Sequence, residues 1–357
     1  MSNLNELSPA TKRVVVPPAA RQRFPRNQWY VAAAAAEVGT GLFSRMLLGR
    51  PVVMYRKADG APVALADRCP HRGFPLSKSV LNNGVIRCGY HGISFDSSGA
   101  CVNVPTQESV PRQMRVTSFP IVEKSLWLWI WMGDPAKMDP SLIPDLGCEN
   151  GNYHNAFHKC YPIPGNFQLV HENVLDATHA SYLHTGVIDN EELSEVTVTA
   201  PELEVRGNFI RTSRTFKNFI PSALVARAYS LQEGVPVDRY LATESHLPSF
   251  VMIINRYTDP ANPRNIISEQ LGHIPITPAS DTTSYHFLGF STTYPSGGPE
   301  DIEFFRGVID QDALAIGASQ SYFEESDANF KEISVKADEA ALRGRRIVAE
   351  MAASEEY

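Results

Sequence analysis

Residues 69–91 read CPHRGFPLSKSVLNNGVIRCGYH, and this stretch decides the fold of the first half of the chain. It contains two short arms, Cys69-Pro70-His71 and Cys88-Gly89-Tyr90-His91, with sixteen residues between His71 and Cys88. Each arm supplies one thiolate and one imidazole. Together they match a two-iron, two-sulfide cluster in which one iron takes both cysteines and the other takes both histidines. Glycines and prolines near the arms indicate two tight loops that bring them together.

A structural zinc site is the alternative interpretation of the same four residues. Zinc sites of this composition usually pair cysteine with cysteine and histidine with histidine, whereas each arm here is mixed. Cys101, Cys148 and Cys160 have no partner at ligand spacing, so we interpret them as small buried apolar residues. An odd set of five cysteines without a secreted-scaffold pattern also argues against a disulfide framework.

Short runs of strand-forming residues surround the two arms. They are bounded by Gly, Pro, Asp or Asn and occur at Gln28–Val31, Val52–Arg56, Pro62–Leu65 and Ser125–Trp131. Asp96-Ser97-Ser98-Gly99 predicts a hairpin turn between two of them. We therefore predict a small all-β domain over residues 27–149, which ends in a proline-rich linker and follows an N-terminal arm of residues 1–26.

The second half opens with another stretch of metal-binding residue types, Asn173 to His184, which reads NVLDATHASYLH. A helix is predicted over about residues 167–184, with Gly186 as its stop, and places His179 and His184 on nearby faces. Two histidines and one carboxylate form the facial set by which non-heme Fe(II) binds O2 beside a substrate. Asp176 is a poor third ligand, because its short side chain lies one turn before His179 and is better placed to hold an imidazole.

The remainder of the chain predicts a sheet followed by helices. Alternating apolar segments from Val196 to about Tyr294 indicate an antiparallel sheet, and helical stretches follow at about 300–319 and 328–353. The predicted fold class is α+β: an all-β domain, then a domain over residues 150–357 with a central antiparallel sheet covered by helices.

Composition narrows the function classes. The 357 residues are 43% hydrophobic with a formal net charge of −7, and they contain no apolar run near the roughly 20 residues of a membrane helix. We expect neither membrane nor nucleic-acid binding. The first 26 residues lack the pattern of a secretory signal, so we expect a cytoplasmic protein. No nucleotide-binding glycine fingerprint or flavin motif is present, which indicates an external electron source.

The two motifs together resemble those of Rieske non-heme iron oxygenases, in the vanillate O-demethylase and dicamba monooxygenase branch. The pattern C-x-H-x16-C-x2-H, followed by N-x2-D-x2-H-x4-H, covers both halves of the chain. The resemblance implies a Rieske domain over residues 27–149 and a catalytic mononuclear iron domain over residues 150–357. The ligands that it implies are Cys69, His71, Cys88 and His91 for the [2Fe-2S] cluster, and His179, His184 and Asp312 for Fe(II).

The resemblance also implies roles for residues that do not bind metal. Asp310 is a rival to Asp312 as the third iron ligand. Asp176 is expected to link His179 to His91 of a neighbouring subunit in a homotrimer. Asn173 matches a family position near the iron, although an ordinary helix residue bonded to a neighbour is an equal alternative. Asn255 and His273 are the expected substrate contacts.

The function implied is an oxygenase component that hydroxylates, and thereby O- or N-dealkylates, a small aromatic compound. Electrons would come from an NAD(P)H-dependent reductase, with or without a ferredoxin. One alternative is an aromatic-ring dioxygenase, and another is an electron carrier joined to a binding module. No obvious basic cluster in the second half indicates a carboxylate substrate, so a neutral aromatic and a benzoate are both open.

Overall fold

The computed structural model describes residues 24–149, 151–184, 199–221, 223–296, 298–325 and 332–355. The strands of the first half are β1 (Trp29–Ala34), β2 (Phe43–Leu47), β3 (Arg50–Arg56), β4 (Pro62–Ala66), β5 (Val80–Asn82), β6 (Val85–Arg87), β7 (Ser94–Phe95), β8 (Cys101–Asn103), β9 (Ser118–Phe119), β10 (Ile121–Lys124) and β11 (Trp127–Trp131). Those of the second half are β12 (His154–Ile163), β13 (Glu202–Arg206), β14 (Phe209–Phe219), β15 (Val237–His246), β16 (Phe250–Asp259), β17 (Asn262–Pro278) and β18 (Ser284–Thr292). The described α-helices are α1 (Phe167–Leu175), α2 (Ala180–Leu183), α3 (Ala223–Ala228), α4 (Pro299–Glu325) and α5 (Glu339–Ala353).

The first half consists of three small antiparallel sheets, with strand orders β1-β11-β10, β2-β3-β4-β9 and β5-β6-β7-β8. The predicted hairpin turn joins β7 to β8. There, an oxygen of Asp96 accepts a hydrogen bond from the amide of Ser98 at 2.9 Å, and Gly99 adopts a φ of +77°. That left-handed conformation suits glycine, which has no Cβ to clash. The predicted β-rich first domain is therefore confirmed.

The second half is built on one seven-stranded antiparallel sheet of order β12-β18-β17-β16-β15-β14-β13. Side chains alternate between its two faces, as the period of two along a strand requires. We call one face the helix face, because Val251 and Ile274 on it pack with Phe167 and Val170 of α1. We call the other the Rieske face, because Met252, Leu271 and Phe287 on it pack with Trp127 and Trp129 of β11.

A large aromatic core joins the two halves. Trp29, Trp127, Trp129 and Trp131 are each 2% exposed or less. Burial of an aromatic side chain of this size stabilises the folded chain by on the order of 5 kcal/mol as an upper estimate. A hydrogen bond also crosses the interface between the two halves: the Ser249 hydroxyl donates to the carbonyl of Trp29 at 2.6 Å. The seven-stranded sheet therefore has a fixed position against the first domain.

The predicted helix over residues 167–184 is broken in the structure. α1 ends at Leu175, Asp176 is extended with φ −102° and ψ 97°, and a 3-10 turn at Ala177–His179 leads into α2. The break occurs because the Asp176 carboxylate accepts hydrogen bonds from the amide and hydroxyl of Thr178, a typical helix start. A continuous helix was therefore the wrong prediction here, and Gly186 lies outside the described residues.

The long helix α4 crosses the helix face beside α1. Its apolar residues Phe305, Ile309 and Ile316 pack into the same core as α1, and the Phe305 ring lies 4.1 Å from that of Phe290 on β18. α4 is longer than the predicted helix at 300–319, and α5 begins later than 328. No helix in the described part of the chain is both long and apolar enough to span a membrane.

Candidate metal centres

The two Cys-His arms form loops that match bond for bond. The amide of Gly73 donates to the carbonyl of Cys69 at 2.9 Å, and that of Gly92 donates to the carbonyl of Cys88 at 2.9 Å. Both glycines have a φ of +72°, which an L side chain rarely adopts. The loops therefore present their ligand residues as a near-symmetric pair, and the rings of His71 and His91 lie 4.6 Å apart.

The inner and outer ends of this pair differ in environment. Cys69 and Cys88 are 2% and 3% exposed, whereas His71 and His91 are exposed. Burial raises the pKa of the Cys69 thiol and the Cys88 thiol raises it further, while the backbone amides of His71 and Arg72 oppose the rise by pointing at the sulfur. Amide donors of this kind stabilise a thiolate, so the donor set fits an iron-sulfur cluster with buried thiolates and histidines at the surface.

A second cluster forms where α1, the 3-10 turn and α4 meet. One ligand atom from each of His179, His184 and Asp312 lies within 4.8 Å of the others. The Nε2 atoms of both histidines are 3.5 Å from the same carboxylate oxygen of Asp312. Two imidazoles and one carboxylate around a common point fit a divalent metal such as non-heme Fe(II).

The far nitrogens of both imidazoles are already bonded. His179 Nδ1 donates to the backbone carbonyl of Asp176 at 2.5 Å, and His184 Nδ1 donates to the side-chain oxygen of Gln311 at 3.0 Å. Because each Nδ1 donates to an acceptor, each Nε2 is the nitrogen that faces Asp312 and is available to a metal that displaces its proton. This outer hydrogen bonding is the usual support of histidines that bind metals.

Asn173 and the charges of the cluster hold Asp312 ionised. The Asn173 amide donates to Asp312 at 3.0 Å and lies 3.5 Å from His179 Nε2. Burial raises the pKa of Asp312, but the hydrogen bond from His179, the charges of both histidines and the Asn173 amide outweigh it and hold that pKa below its ordinary value. Burial lowers the pKa of His179, and Asp312 together with the Asp176 carbonyl more than reverses this. A metal cation would replace the proton shared in this set.

Asp310 lies away from the cluster. Its side chain is 66% exposed and lies 3.7 Å from Arg306 one turn earlier on α4, whereas Asp312 is 6% exposed. Two residues along a helix rotate by about 200 degrees, so the two carboxylates leave opposite sides of α4. The placement favours Asp312 over Asp310 as the third ligand.

Asp176 meets His179 through a different atom from the one expected. Its backbone carbonyl, and not its carboxylate, bonds the imidazole, while the carboxylate caps the 3-10 turn through Thr178. Within one chain, the expectation that the Asp176 side chain holds His179 is therefore wrong. Its link to His91 of a neighbouring subunit stays a prediction.

The two expected substrate contacts lie on opposite faces of the sheet. Asn255 is 6% exposed and pairs in register with Leu241 and Gln270. Gln270 precedes Leu271 of the Rieske face, so Asn255 belongs to the helix face, beside α1 and α4. His273 lies two residues after Leu271 and is therefore on the Rieske face, where it bonds the Ser291 hydroxyl at 3.0 Å. His273 therefore lies on the face of the sheet opposite the iron centre, and its contact with substrate stays a prediction.

Sequence reasoning missed Gln311 and His286 near this centre, and Arg239 further along the sheet. Gln311 holds His184, and its position beside Asp312 was the only signal available. His286 on β18 is fully buried, and among the described residues neither of its ring nitrogens has a hydrogen-bond partner; burial lowers its pKa to about 4 although Asp312 opposes this. Arg239 on β15 is buried, and nothing in the local sequence distinguishes it from a surface arginine.

Both halves of the chain match known protein families. Residues 28–120 match the Rieske [2Fe-2S] domain, and residues 163–354 match the vanillate O-demethylase oxygenase C-terminal domain. The chain is 30% identical over 330 residues to the dicamba O-demethylase oxygenase component of Stenotrophomonas maltophilia, covering 90% of this chain and 96% of that protein. It is 28% identical over 349 residues to the vanillate O-demethylase oxygenase subunit of Pseudomonas sp. (strain HR199 / DSM 7063), covering 93% and 96%.

Solved structures agree with these matches. A crystal structure of dicamba monooxygenase bound to 3,6 dichlorosalicylic acid superposes with a TM-score of 0.85 at 29% identity, over 94% of this chain and all of that one. Another, with non-heme iron and dicamba, gives a TM-score of 0.79 at 29% identity, over 93% and 98%. The chain therefore belongs to the Rieske non-heme iron oxygenases of the vanillate O-demethylase type, as an oxygenase component with a [2Fe-2S] cluster and a mononuclear iron.

Proposed function

We propose that His179, His184 and Asp312 hold the mononuclear iron and that Cys69, His71, Cys88 and His91 hold the cluster. The observation that carries this assignment is the convergence of both histidine Nε2 atoms on one Asp312 oxygen, with each Nδ1 bonded elsewhere. When bound, the cluster supplies electrons one at a time and the iron binds and reduces O2.

The proposed reaction is oxidative dealkylation of a small aromatic compound. One oxygen atom of O2 is inserted into a C–H bond of the methyl or alkyl carbon next to oxygen or nitrogen. The other oxygen atom takes up two electrons and two protons and leaves as water. The hydroxylated carbon then loses its bond to the heteroatom and departs as an aldehyde, leaving a phenol or an amine. The similarity to dicamba and vanillate O-demethylase oxygenase components supports dealkylation over ring oxidation.

Side chains of this chain position and shield the reacting centre. The Asn173 amide donates to the same Asp312 oxygen that both histidine Nε2 atoms approach, so it fixes the carboxylate that faces the iron. Asp312 and His184 are 6% and 2% exposed, so water has little access to them, whereas the His179 side chain is 27% exposed. Substrate enters beside the helix face of the sheet, where Asn255 offers one amide for its recognition.

The proposed assembly is a homotrimer in which Asp176 joins the two centres across a subunit boundary. Two exposures support it: His71 and His91 lie at the surface of the cluster domain, and His179 is the exposed edge of the iron site. The Asp176 carboxylate would then exchange its Thr178 contacts for one to His91 of the partner subunit. Electrons would reach the cluster from an NAD(P)H-dependent reductase, with or without a ferredoxin.

Product analysis tests this function. The purified holoprotein, with a surrogate reductase and NADH, would be supplied with methoxybenzoates, aryl methyl ethers and N-alkyl anilides under ¹⁸O2. We expect formaldehyde or another aldehyde in step with a dealkylated aromatic product that carries no label, because its oxygen or nitrogen comes from the substrate. Ring diols with two labelled atoms would instead establish the dioxygenase alternative. Chemistry that survives replacement of His179 would overturn the iron assignment.

A further inference from the structure

The two Cys-His arms differ at the residue that follows each cysteine. In the first arm it is Pro70, whose ring fixes φ and leaves no amide N–H. In the second arm it is Gly89, which has the widest backbone freedom of any residue type. The backbone after Cys69 is therefore stiffened by the proline ring, whereas the backbone after Cys88 needs a contact from elsewhere in the chain to be held as firmly.

Gly89 packs closely against the segment that connects the two arms. A Cβ added at Gly89 would lie 3.3 Å from the carbonyl oxygen of Lys78 and 3.4 Å from the nearest atom of the Phe74 ring. Atoms in a packed interior lie about 3.5 to 4.0 Å apart, so a side chain here would press the second arm away from that segment. The close approach therefore favours glycine at this position, together with its backbone freedom.

The Ser79 hydroxyl supplies the contact that the second arm needs. It accepts a hydrogen bond from the Gly89 amide at 3.1 Å and makes a longer bond of 3.4 Å to the carbonyl of Pro75. On the other side of the same peptide, the Cys88 carbonyl accepts from the Gly92 amide at 2.9 Å. The peptide between Cys88 and Gly89 is thus held at both its N–H and its C=O, which fixes its orientation.

Ser79 is itself fixed in place. It follows a 3-10 turn, Leu76–Lys78, where its amide donates to the carbonyl of the fully buried Leu76 at 3.0 Å. The Asp67 carboxylate holds the same turn by accepting from the amide and the hydroxyl of Ser77, both at 2.6 Å. Asp67 is 7% exposed and lies two residues before the first arm. The turn is therefore tied to the first arm through Asp67 and to the second arm through Ser79.

We propose that Ser79 is a positioning residue for the [2Fe-2S] cluster. Its hydroxyl holds the peptide between Cys88 and Gly89, and so fixes the direction in which the second arm presents its thiolate and its imidazole. Ser79 does for the second arm what the ring of Pro70 does for the first. Outer hydrogen bonds orient metal ligands and tune the potential of iron-sulfur clusters. This inference rests on the proposed cluster ligands and adds a residue that binds no metal.

Replacement of the hydroxyl tests the proposal on the purified holoprotein, without turnover. We expect Ser79→Ala to assemble the cluster, because every ligand residue remains. Its reduced form should show broadened electron paramagnetic resonance lines and a shifted midpoint potential, and its visible absorption should bleach at least about 10-fold faster under air with a chelator. Ser79→Thr keeps a hydroxyl and should restore the parent spectrum and bleaching rate.

Ser98→Ala is the matched control. It removes a hydroxyl from the same domain, one that bonds the Asp96 carboxylate within the hairpin turn between β7 and β8. Because that hydroxyl makes its bond outside the two arms, the paramagnetic spectrum, midpoint potential and bleaching rate of Ser98→Ala should match those of the parent.

Three results would overturn the proposal. One is a Ser79→Ala variant with the parent spectrum, midpoint potential and bleaching rate. Another is equally fast bleaching in Ser98→Ala, which would assign the effect to the stability of the whole domain. The third is loss of the cluster from Ser79→Ala and Ser79→Thr alike, which would assign the effect to packing and not to the hydroxyl. The proposed cluster ligands fail separately, if His71→Ala keeps a complete cluster.

Discussion

The two metal centres are built in opposite ways. The Cys-His loops come from neighbouring parts of the sequence, repeat the same backbone hydrogen bonds, and leave His71 and His91 exposed. The second centre combines the end of α1 with the middle of α4, far apart in sequence, and buries His184 and Asp312. The first arrangement suits electron exchange at a surface, whereas the second suits reduction of O2 away from bulk water.

This difference predicts that each centre can be removed while the other stays. The largest effect is expected at the buried centre. Asp312→Ala should lower the iron content from about three to about two per chain, leave the cluster spectrum unchanged, and reduce turnover by at least about a thousand-fold. Inductively coupled plasma mass spectrometry and visible spectra measure both quantities.

Asp310→Ala is the matched control for that substitution. It removes a carboxylate from the same helix, two residues away and exposed, so iron content and turnover should stay near those of the parent. If Asp310→Ala lost the mononuclear iron and Asp312→Ala kept it, Asp310 would be the third ligand and Asp312 would not.

His71→Ala tests the exposed centre in the complementary direction. The loop should still fold, because its backbone bonds through Cys69 and Gly73 do not involve the imidazole. We expect loss of the cluster colour and of acid-labile sulfide, with the mononuclear iron retained at about one per chain and reductase-driven turnover abolished. A variant that keeps its cluster and its turnover would show that His71 is not a ligand.

The two centres also differ in how far the sequence alone predicts them. The stretch from Cys69 to His91 predicts its two loops, because glycines and short-range hydrogen bonds within the stretch form them. The iron site needs a tertiary contact that no local pattern encodes: Asp310 and Asp312 are both acidic and lie two residues apart, and only the packing of α4 distinguishes them. The helix break at Asp176 is a local feature. It could not be predicted because the Asp176 side chain can either cap a new turn or let α1 continue, and these two structures differ little in free energy.

The seven-stranded sheet shows a second limit on what the sequence can predict. β17 runs from Asn262 to Pro278 with buried residues on both faces, so hydrophobic alternation cannot show which residues face the iron. The sequence therefore could not show that His273 lies on the Rieske face and Asn255 on the helix face. Arg239 was missed because burial of a charge is invisible in the sequence.

Asp176→Asn probes the proposed link between the centres, with a smaller expected effect. Asparagine caps a helix about as well as aspartate, so stability and both metals should be retained. Turnover should fall by about 10- to 100-fold, because the side chain can no longer offer a carboxylate to His91 of the partner subunit, while the Asp176 backbone carbonyl still holds His179. Stopped-flow oxidation of the reduced cluster measures the step concerned.

Thr178→Val is the control for Asp176. It removes the hydroxyl that the carboxylate bonds without changing the carboxylate, so it should cost about 1 kcal/mol of stability and leave cluster oxidation near the parent rate. An equal loss of cluster oxidation rate in both variants would show that the Asp176 carboxylate only caps the helix.

The smallest effect expected concerns acid stability of the buried centre. Burial lowers the pKa of both His171 and His286 to about 4, below the ordinary value near 6.5. The unfolded chain therefore binds more protons between those values, and the free energy of unfolding should fall by about 2 kcal/mol per histidine from pH 6.5 to pH 5. Denaturant titrations of the apoprotein at several pH values measure this slope.

His286→Leu should remove about half of that pH dependence, since it deletes one of the two imidazoles whose pKa burial lowers to about 4. His154→Gln, at an exposed position on β12, should leave the slope unchanged. Parallel slopes for the parent and His286→Leu would contradict the assignment of a neutral, buried His286.

Anomalous diffraction at the iron edge from crystals of the holoprotein tests the central claim most directly. The account predicts a close pair of iron peaks between the loops of Cys69 and Cys88, and a single separate peak bonded to His179 Nε2, His184 Nε2 and Asp312. A third peak elsewhere, or a single peak between the loops with none beside Asp312, would contradict it.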